Sequence, residues 1–167
     1  MSNPLNIRRV RPEEYPSVGE LVRAAYESEY LLESDYLDEI EDVAGRDSVS
    51  QVLVAEEGGK ILGSVTIPHE GERLLSSSAS DEMDVRLLGV SGGARGKGVG
   101  EALMRYVASV AQDRGLCRLV LHTGDQMVKA HRLYERLGFQ QIPEREFTIE
   151  TISGTRRIIS YGLEIAS

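Results

Sequence analysis

The stretch from Asp84 to Leu103 constrains the fold more than any other part of the chain. An apolar, partly β-branched run from Val85 to Val90 predicts a β-strand. After it come five glycines between Gly92 and Gly100, and then apolar residues at Val99, Leu103, Val107 and Val110, spaced as on one face of a helix. The segment therefore reads strand, glycine-rich bend, helix. Glycines without a Cβ let the backbone approach a ligand closely. The first N–H groups of the helix have no intrahelical partner, and the macrodipole adds roughly half a positive charge there. A phosphate or pyrophosphate suits such a place.

Several glycine motifs share this physics, and spacing separates them. A P-loop needs glycine five residues before Gly96-Lys97 and a hydroxyl after the lysine; those positions hold Ser91 and Gly98. A dinucleotide fingerprint starting at Gly96 or Gly98 needs glycine where Glu101 or Leu103 stands. Gly89-Val90-Ser91-Gly92-Gly93 does satisfy the nucleophile-elbow pattern, which keeps a serine hydrolase as a rival reading. Arg95-x-x-Gly98-x-Gly100 directly after a strand fits without forcing. It resembles the acyl-CoA pyrophosphate loop of the GNAT superfamily of N-acetyltransferases. A second segment, from Ala130 through Tyr134 to Gly138-Phe139, is similar to that family's Ala-x-x-x-Tyr-x-x-x-Gly-Phe signature.

The resemblance implies one domain over residues 1–167 of class α/β (α+β). It would be a mixed, mostly antiparallel sheet of about six to seven strands flanked by about four helices. It also implies acetyl-CoA as acyl donor, a small-molecule or peptide amine as acceptor, and direct transfer within a ternary complex.

Composition sets bounds. At 167 residues the chain is long enough to bury a real core. No apolar run approaches twenty residues, so no membrane span is expected. Met1 to Asn6 lacks a basic head followed by an apolar stretch, so no signal peptide is expected. The single cysteine, Cys117, excludes an internal disulfide and fits a reducing cytoplasm. A net charge of −8 argues against nucleic acid as partner and favours a cationic acceptor. A homodimer stays open, since the late strands could pair across one.

Along the chain, Leu5–Arg11 reads as an edge-like strand, and Pro12 with two acids starts a helix whose apolar stripe is Val18, Leu21, Val22 and Ala25. Residues 34–40 read as a second short helix, with Leu37, Ile40 and Ala44 inward. Residues 51–57 and 60–68 form a hairpin about Gly58-Gly59, and residues 70–81 a mobile loop. Strand 116–123, helix 126–137 and strands 139–142 and 157–165 follow. By resemblance, the first two helices wall the acceptor site. Tyr26, Tyr30, Tyr36, Glu27, Glu29, Glu33 and Asp35 are then candidate contacts.

Acyl transfer from a thioester to an amine needs a held donor, a polarised carbonyl, a base for the ammonium and a proton for the thiolate. Backbone amides of Gly96, Lys97, Gly98, Val99, Gly100 and Glu101 are the candidate phosphate cradle, with Arg95 adding charge. By resemblance, Leu88, Gly89 and Val90 pair by main chain with the pantetheine arm. Asp84 is the candidate base, acting through water or raised in pKa by burial, and Glu82 shares its face. Tyr134 is the candidate acid: a phenol of pKa about 10 can protonate a departing thiolate of about 8.5. Met127 stands where the family often carries a cofactor-contacting asparagine.

His69, His122 and His131 lack metal-site spacing, so no metal is expected. His122 is a candidate contact to acceptor or cofactor, His131 a surface residue, and Cys117 a small core residue. Two rivals complete the picture: a non-catalytic acyl-CoA-binding sensor, and a hydrolase using Ser91 with Asp125 and His131.

Overall fold

The computed structural model describes residues 5–28, 30, 32–151 and 154–165. In chain order, strand β1 (Asn6–Arg9) leads into helices α1 (Tyr15–Glu27), α2 (Ser34–Glu41) and α3 (Val43–Val49). Strands β2 (Gln51–Glu57), β3 (Lys60–Ile67) and β4 (Glu82–Val90) follow, then α4 (Val99–Asp113), β5 (Arg118–Gly124) and α5 (Val128–Arg136). The chain ends with β6 (Gln140–Gln141), β7 (Phe147–Thr151) and β8 (Gly154–Glu164). The strands form one sheet in the order β1-β2-β3-β4-β5-β8-β6, with β7 also paired to β8. Among the described residues only β4 and β5 run parallel, and every other pairing is antiparallel.

The mixed, mostly antiparallel sheet is the expected one, with eight strands among the described residues against six to seven expected, and five α-helices against about four. The extra helix arises at Asp42. Its carboxylate accepts a hydrogen bond from the Gly45 amide at 3.0 Å, capping α3 directly after α2, the short helix expected over residues 34–40. The break shifts the inward phase, so Val43 is buried where Ala44 was expected and Ala44 is exposed. The extra strand, β7, lies within what reads in the sequence as a connection.

The helices cover both faces of the sheet. Val18, Val22, Leu37, Ile40 and Val43 pack with Val52, Val54 and Leu87 on one face. Val99, Leu103, Met104, Val107 and Ala111 of α4, with Tyr134 and Phe139, pack on the other. Fully burying a side chain such as Leu103 stabilises by about 1.5–3 kcal/mol, and the 3.6-residue stripe of α4 places four of them on one face. A Cβ on Gly63 would stand 2.8 Å from Val99 Cγ1, so glycine there lets the start of α4 sit directly on β3.

The loop between β3 and β4 is pinned. Asp84, wholly buried, accepts hydrogen bonds from the Leu74 amide (2.8 Å), the Leu75 amide (2.7 Å) and Ser78 Oγ (2.6 Å).

Candidate active site

The parallel pairing of β4 with β5 runs from Glu82–Arg118 to Val85–Leu121 and stops. Beyond it, residues 86–90 of β4 have β3 on one edge and, among the described residues, no strand on the other. A bulge contributes to this divergence. Between the pairs Thr66–Arg86 and Ser64–Gly89, β4 carries one residue more than β3. Leu87 sits at the bulge with φ of 55°, a conformation that costs a non-glycine residue about 1–3 kcal/mol. Its side chain is buried in the α1–α3 core, which offsets that cost.

Two clefts open where the strands part, with volumes of about 560 and 580 Å³. They meet over Tyr26, Val85, Arg86, Leu87, His122, Thr123 and Met127, which line both. The first cleft continues along Leu88–Val90 to the start of α4 and is closed by Ala130, Leu133 and Tyr134 of α5. Arg95, Gly96, Gly98, Val99, Gly100 and Glu101 all line it; Lys97 does not. Gly98 is the N-cap of α4 at φ 75°, and no side chain caps the helix. The first intrahelical bond there is donated by Ala102 to the Gly98 carbonyl at 3.0 Å, so the preceding amides have no helical partner. A Cβ built on Gly96 or Gly98 meets nothing within 4 Å, which marks the outer face of this turn as open. Arg95 reaches back to Ser28 Oγ at 3.1 Å, tying the loop to the end of α1.

Tyr134 is buried, with its ring against Phe139 (5.6 Å) and Tyr161 (5.9 Å). Burial pushes its hydroxyl above the ordinary phenol range, with Tyr30 and Tyr161 adding to the effect. The hydroxyl has no hydrogen-bond partner among the described residues. Asp84, by contrast, lines neither cleft; its three hydrogen bonds go to the 74–78 segment. Glu82 is also engaged: Arg145 donates to both its oxygens at 2.8 and 3.0 Å, Arg118 lies at 3.4 Å, and the Ala79 amide donates at 2.9 Å. Burial opposes the charge on Glu82, yet Arg145 and the Ala79 amide hold its carboxyl below the usual range.

His122 stands where the clefts join. Its Nδ1 lies 2.7 Å from Ser160 Oγ, and Phe147 meets the ring edge-on at 5.6 Å. Burial lowers its pKa, Arg145 adds to that, and Asp84 opposes it. Thr123 Oγ1, next along β5, is buried and has no partner among the described residues.

The second cleft is walled by Leu32, Tyr36, Leu75, Phe147, Ile149 and Ile158, with Glu33, Asp125 and Glu150 as acids and Arg86 and Arg156 as cations. Of the anticipated acceptor contacts, Tyr26, Tyr36 and Glu33 line it and Tyr30 lines the first cleft. Glu27 instead accepts from Arg23 at 2.9 Å, Asp35 is exposed away from both clefts, and Glu29 lies outside the described residues. Phe147 and Ile149 escaped notice in the sequence, although the alternation Phe147, Ile149, Thr151 carries the signal.

Other expectations shift. Cys117 is exposed rather than in the core. His131 is partly buried, and its Nε2 meets the Gly124 carbonyl at 2.9 Å instead of facing solvent. Ser91 lines neither cleft, and no hydrogen bond joins it to His131 or Asp125 among the described residues. Among those residues, no group of three His, Cys, Asp or Glu could hold a metal ion, and no helix is long and apolar enough to cross a membrane.

The sequence model of the acetyltransferase (GNAT) family matches residues 15–139, well over half of the chain. The chain belongs to the GNAT acetyltransferase family. Among relatives, N-acetyltransferase family 8 member 2 of Rattus norvegicus is 36% identical over 88 residues, 53% of this chain and 38% of that protein. Mycothiol acetyltransferase of Cellulomonas flavigena is 36% identical over 89 residues, 52% of this chain and 26% of that protein. The alignments thus span well under half the length of these relatives. Among solved structures, the Escherichia coli ribosomal-protein-S18-alanine N-acetyltransferase superposes with a TM-score of 0.70 at 17% identity, covering 98% of this chain and 96% of that one. A structure of yncA from Salmonella typhimurium with acetyl-CoA gives 0.69 at 18%, covering 99% and 96%. At these identities the structural likeness bears on the fold alone.

Proposed function

We propose that this GNAT protein transfers an acetyl group from acetyl-CoA to a primary amine, directly and within a ternary complex. The observation that carries the reading is the single continuous opening. A cleft that ends on the bare N-terminus of α4 joins, at His122 and Met127, a second cleft fringed with acids.

The residues present fit acetyl-CoA. Amides at the start of α4 and the open glycine turn suit the pyrophosphate. The unpaired edge of Leu88–Val90 suits an extended amide-bearing arm, which would add to β4 as a strand does. The orphaned Thr123 hydroxyl leaves hydrogen-bonding capacity on the same wall. When bound, acetyl-CoA supplies an acetyl group on a thiolate leaving group. Tyr134, kept protonated by burial, donates to that thiolate. Asp84 serves as an anchor for the 74–78 segment rather than as the base, since all its hydrogen bonds go there.

The test is thiol release from acetyl-CoA across a panel of primary amines. Release that requires both protein and amine is the expected result; tight acetyl-CoA binding without release on any amine would instead favour the sensor reading.

A further inference from the structure

The walls of the second cleft are held in different ways. On the β7 side, Phe147 and Ile149 belong to a strand whose ladder pairs them with Ile158 and Arg156 of β8. Leu75 comes from the irregular connection between β3 and β4, residues 68–81. That connection is rich in serine and charge, so it has few apolar side chains with which to seat a leucine. Polar contacts set its shape instead. Arg114 donates to the Pro68 carbonyl at 2.8 Å, and Arg73 donates to the Ser78 carbonyl. The Leu74 and Leu75 amides and Ser78 Oγ all donate to Asp84.

The bonds to Asp84 use both of its oxygens. Oδ1 accepts from the Leu74 amide, and Oδ2 accepts from the Leu75 amide and from Ser78. Only a side chain with acceptor capacity on both atoms satisfies this arrangement. An asparagine, in either orientation, would set its NH2 group against the Leu74 or the Leu75 amide, and a backbone N–H cannot turn to accept. Asp84 is wholly buried, so water does not relieve that misfit. The carboxylate thus grips the Leu75 backbone itself.

The cleft that Leu75 enters is lined by apolar side chains open to solvent. Phe147 is 47% and Ile149 42% exposed, beside Leu32, Leu75 and Ile158. Contiguous exposed apolar surface of this kind marks a place that an apolar group covers. At its inner end the cleft meets the donor cleft over Val85, Arg86 and Met127. A molecule whose amine lies at that junction has the rest of its body against these side chains.

We propose that Leu75 is a specificity-determining residue that packs against the apolar body of the acceptor, and that Asp84 is the positioning residue that holds it there. The assignment rests on the acetyltransferase reading and adds the acceptor class to it: a primary amine carrying a bulky apolar group. The buried carboxylate of β4 then serves acceptor selection and takes no part in proton transfer.

The experiment measures thiol release with propylamine and with 2-phenylethylamine, and acetyl-CoA affinity by calorimetry beside it. The readout is the ratio of kcat/KM for the aryl amine to that for propylamine, in which losses of folded protein or of acetyl-CoA binding cancel. In the wild type the ratio is expected to exceed about 10, since one methylene seated in an apolar pocket already changes kcat/KM by roughly 10-fold or more. Leu75→Ala is expected to lower it by about 5-fold or more, chiefly by raising KM for 2-phenylethylamine. Asp84→Asn is expected to lower it likewise with acetyl-CoA affinity unchanged. In a Leu75→Ala background the same change has little further effect on the ratio, because both act through one side chain. Ser78→Ala removes one donor, shifts the ratio the same way by less, and replaces Asp84→Asn in the test if that variant does not fold. A wild-type ratio near one overturns the proposal, as does a ratio in Leu75→Ala or Asp84→Asn within about twofold of wild type. So does an Asp84→Asn enzyme that binds acetyl-CoA yet loses kcat equally for both amines. Failure of the acetyltransferase reading looks different: the wild type itself then releases no thiol with any amine, and the specificity role falls with it.

Discussion

Gly98→Glu is expected to abolish acetyl-CoA binding measured by calorimetry. Gly98 caps α4 at φ 75° and faces open space, so the new side chain meets no neighbour within 4 Å and the core is untouched. Its carboxylate, however, projects over the amides proposed to hold the pyrophosphate. It takes their hydrogen bonds and repels the phosphates at once. Hydrogen bonds to charged groups contribute about 1.5–3 kcal/mol each, so losing two costs at least about 100-fold in affinity. Backbone strain is a separate effect on fold stability, and Gly98→Ala isolates it: a methyl in the left-handed region costs about 1 kcal/mol or slightly more of stability, while acetyl-CoA affinity stays close to wild type. Wild-type affinity in Gly98→Glu would remove the phosphates from the start of α4.

Tyr134→Phe lowers kcat by about 10²-fold or more while acetyl-CoA affinity changes little. The ring is packed against Phe139 and Tyr161, and phenylalanine keeps those contacts. Its hydroxyl has no partner among the described residues, so removing it leaves no other polar group stranded. What is lost, on the proposed function, is the proton donor to the leaving thiolate. Burial raises the affinity of that oxygen for its proton, so Tyr134 stays protonated through the neutral and mildly alkaline range. The wild-type rate should therefore show no decline near the ordinary phenol pKa of about 10. An unchanged kcat in Tyr134→Phe would make the residue a packing element of α5 and nothing more.

Local patterns were readable and distant pairings were not. The strand, glycine turn and helix from Val85 to Val110 carry their own signals of periodicity and glycine placement, and the structure forms them as β4, the turn and α4. Ala130 to Phe139 is likewise local, and Ala130 and Tyr134 reach the first cleft by helical spacing alone. The break at Asp42 was legible in principle, because Asp followed three residues later by Gly45 is a capping pattern that competes with the apolar stripe. The hydrogen-bond partners of Asp84 were not. Its partners come from the 74–78 segment, which has no periodicity to place it. His122 and Ser160 are 38 residues apart and become neighbours only because β8 pairs with β5 in the His122–Ser160 register. Nothing near either residue in the sequence announces the other. The bulge at Leu87 is also silent in sequence, since leucine is an uncommon occupant of the left-handed region and only the core on that face explains its choice.

The measurement that bears most directly on the central claim is the initial rate of thiol release with acetyl-CoA and a reactive primary amine varied together. Direct transfer in a ternary complex predicts double-reciprocal lines that intersect, and no acetylated protein when acetyl-CoA is added alone. Parallel lines, with an acetyl group found on Ser91 or another side chain by mass spectrometry, would contradict the account and return the chemistry to a covalent nucleophile.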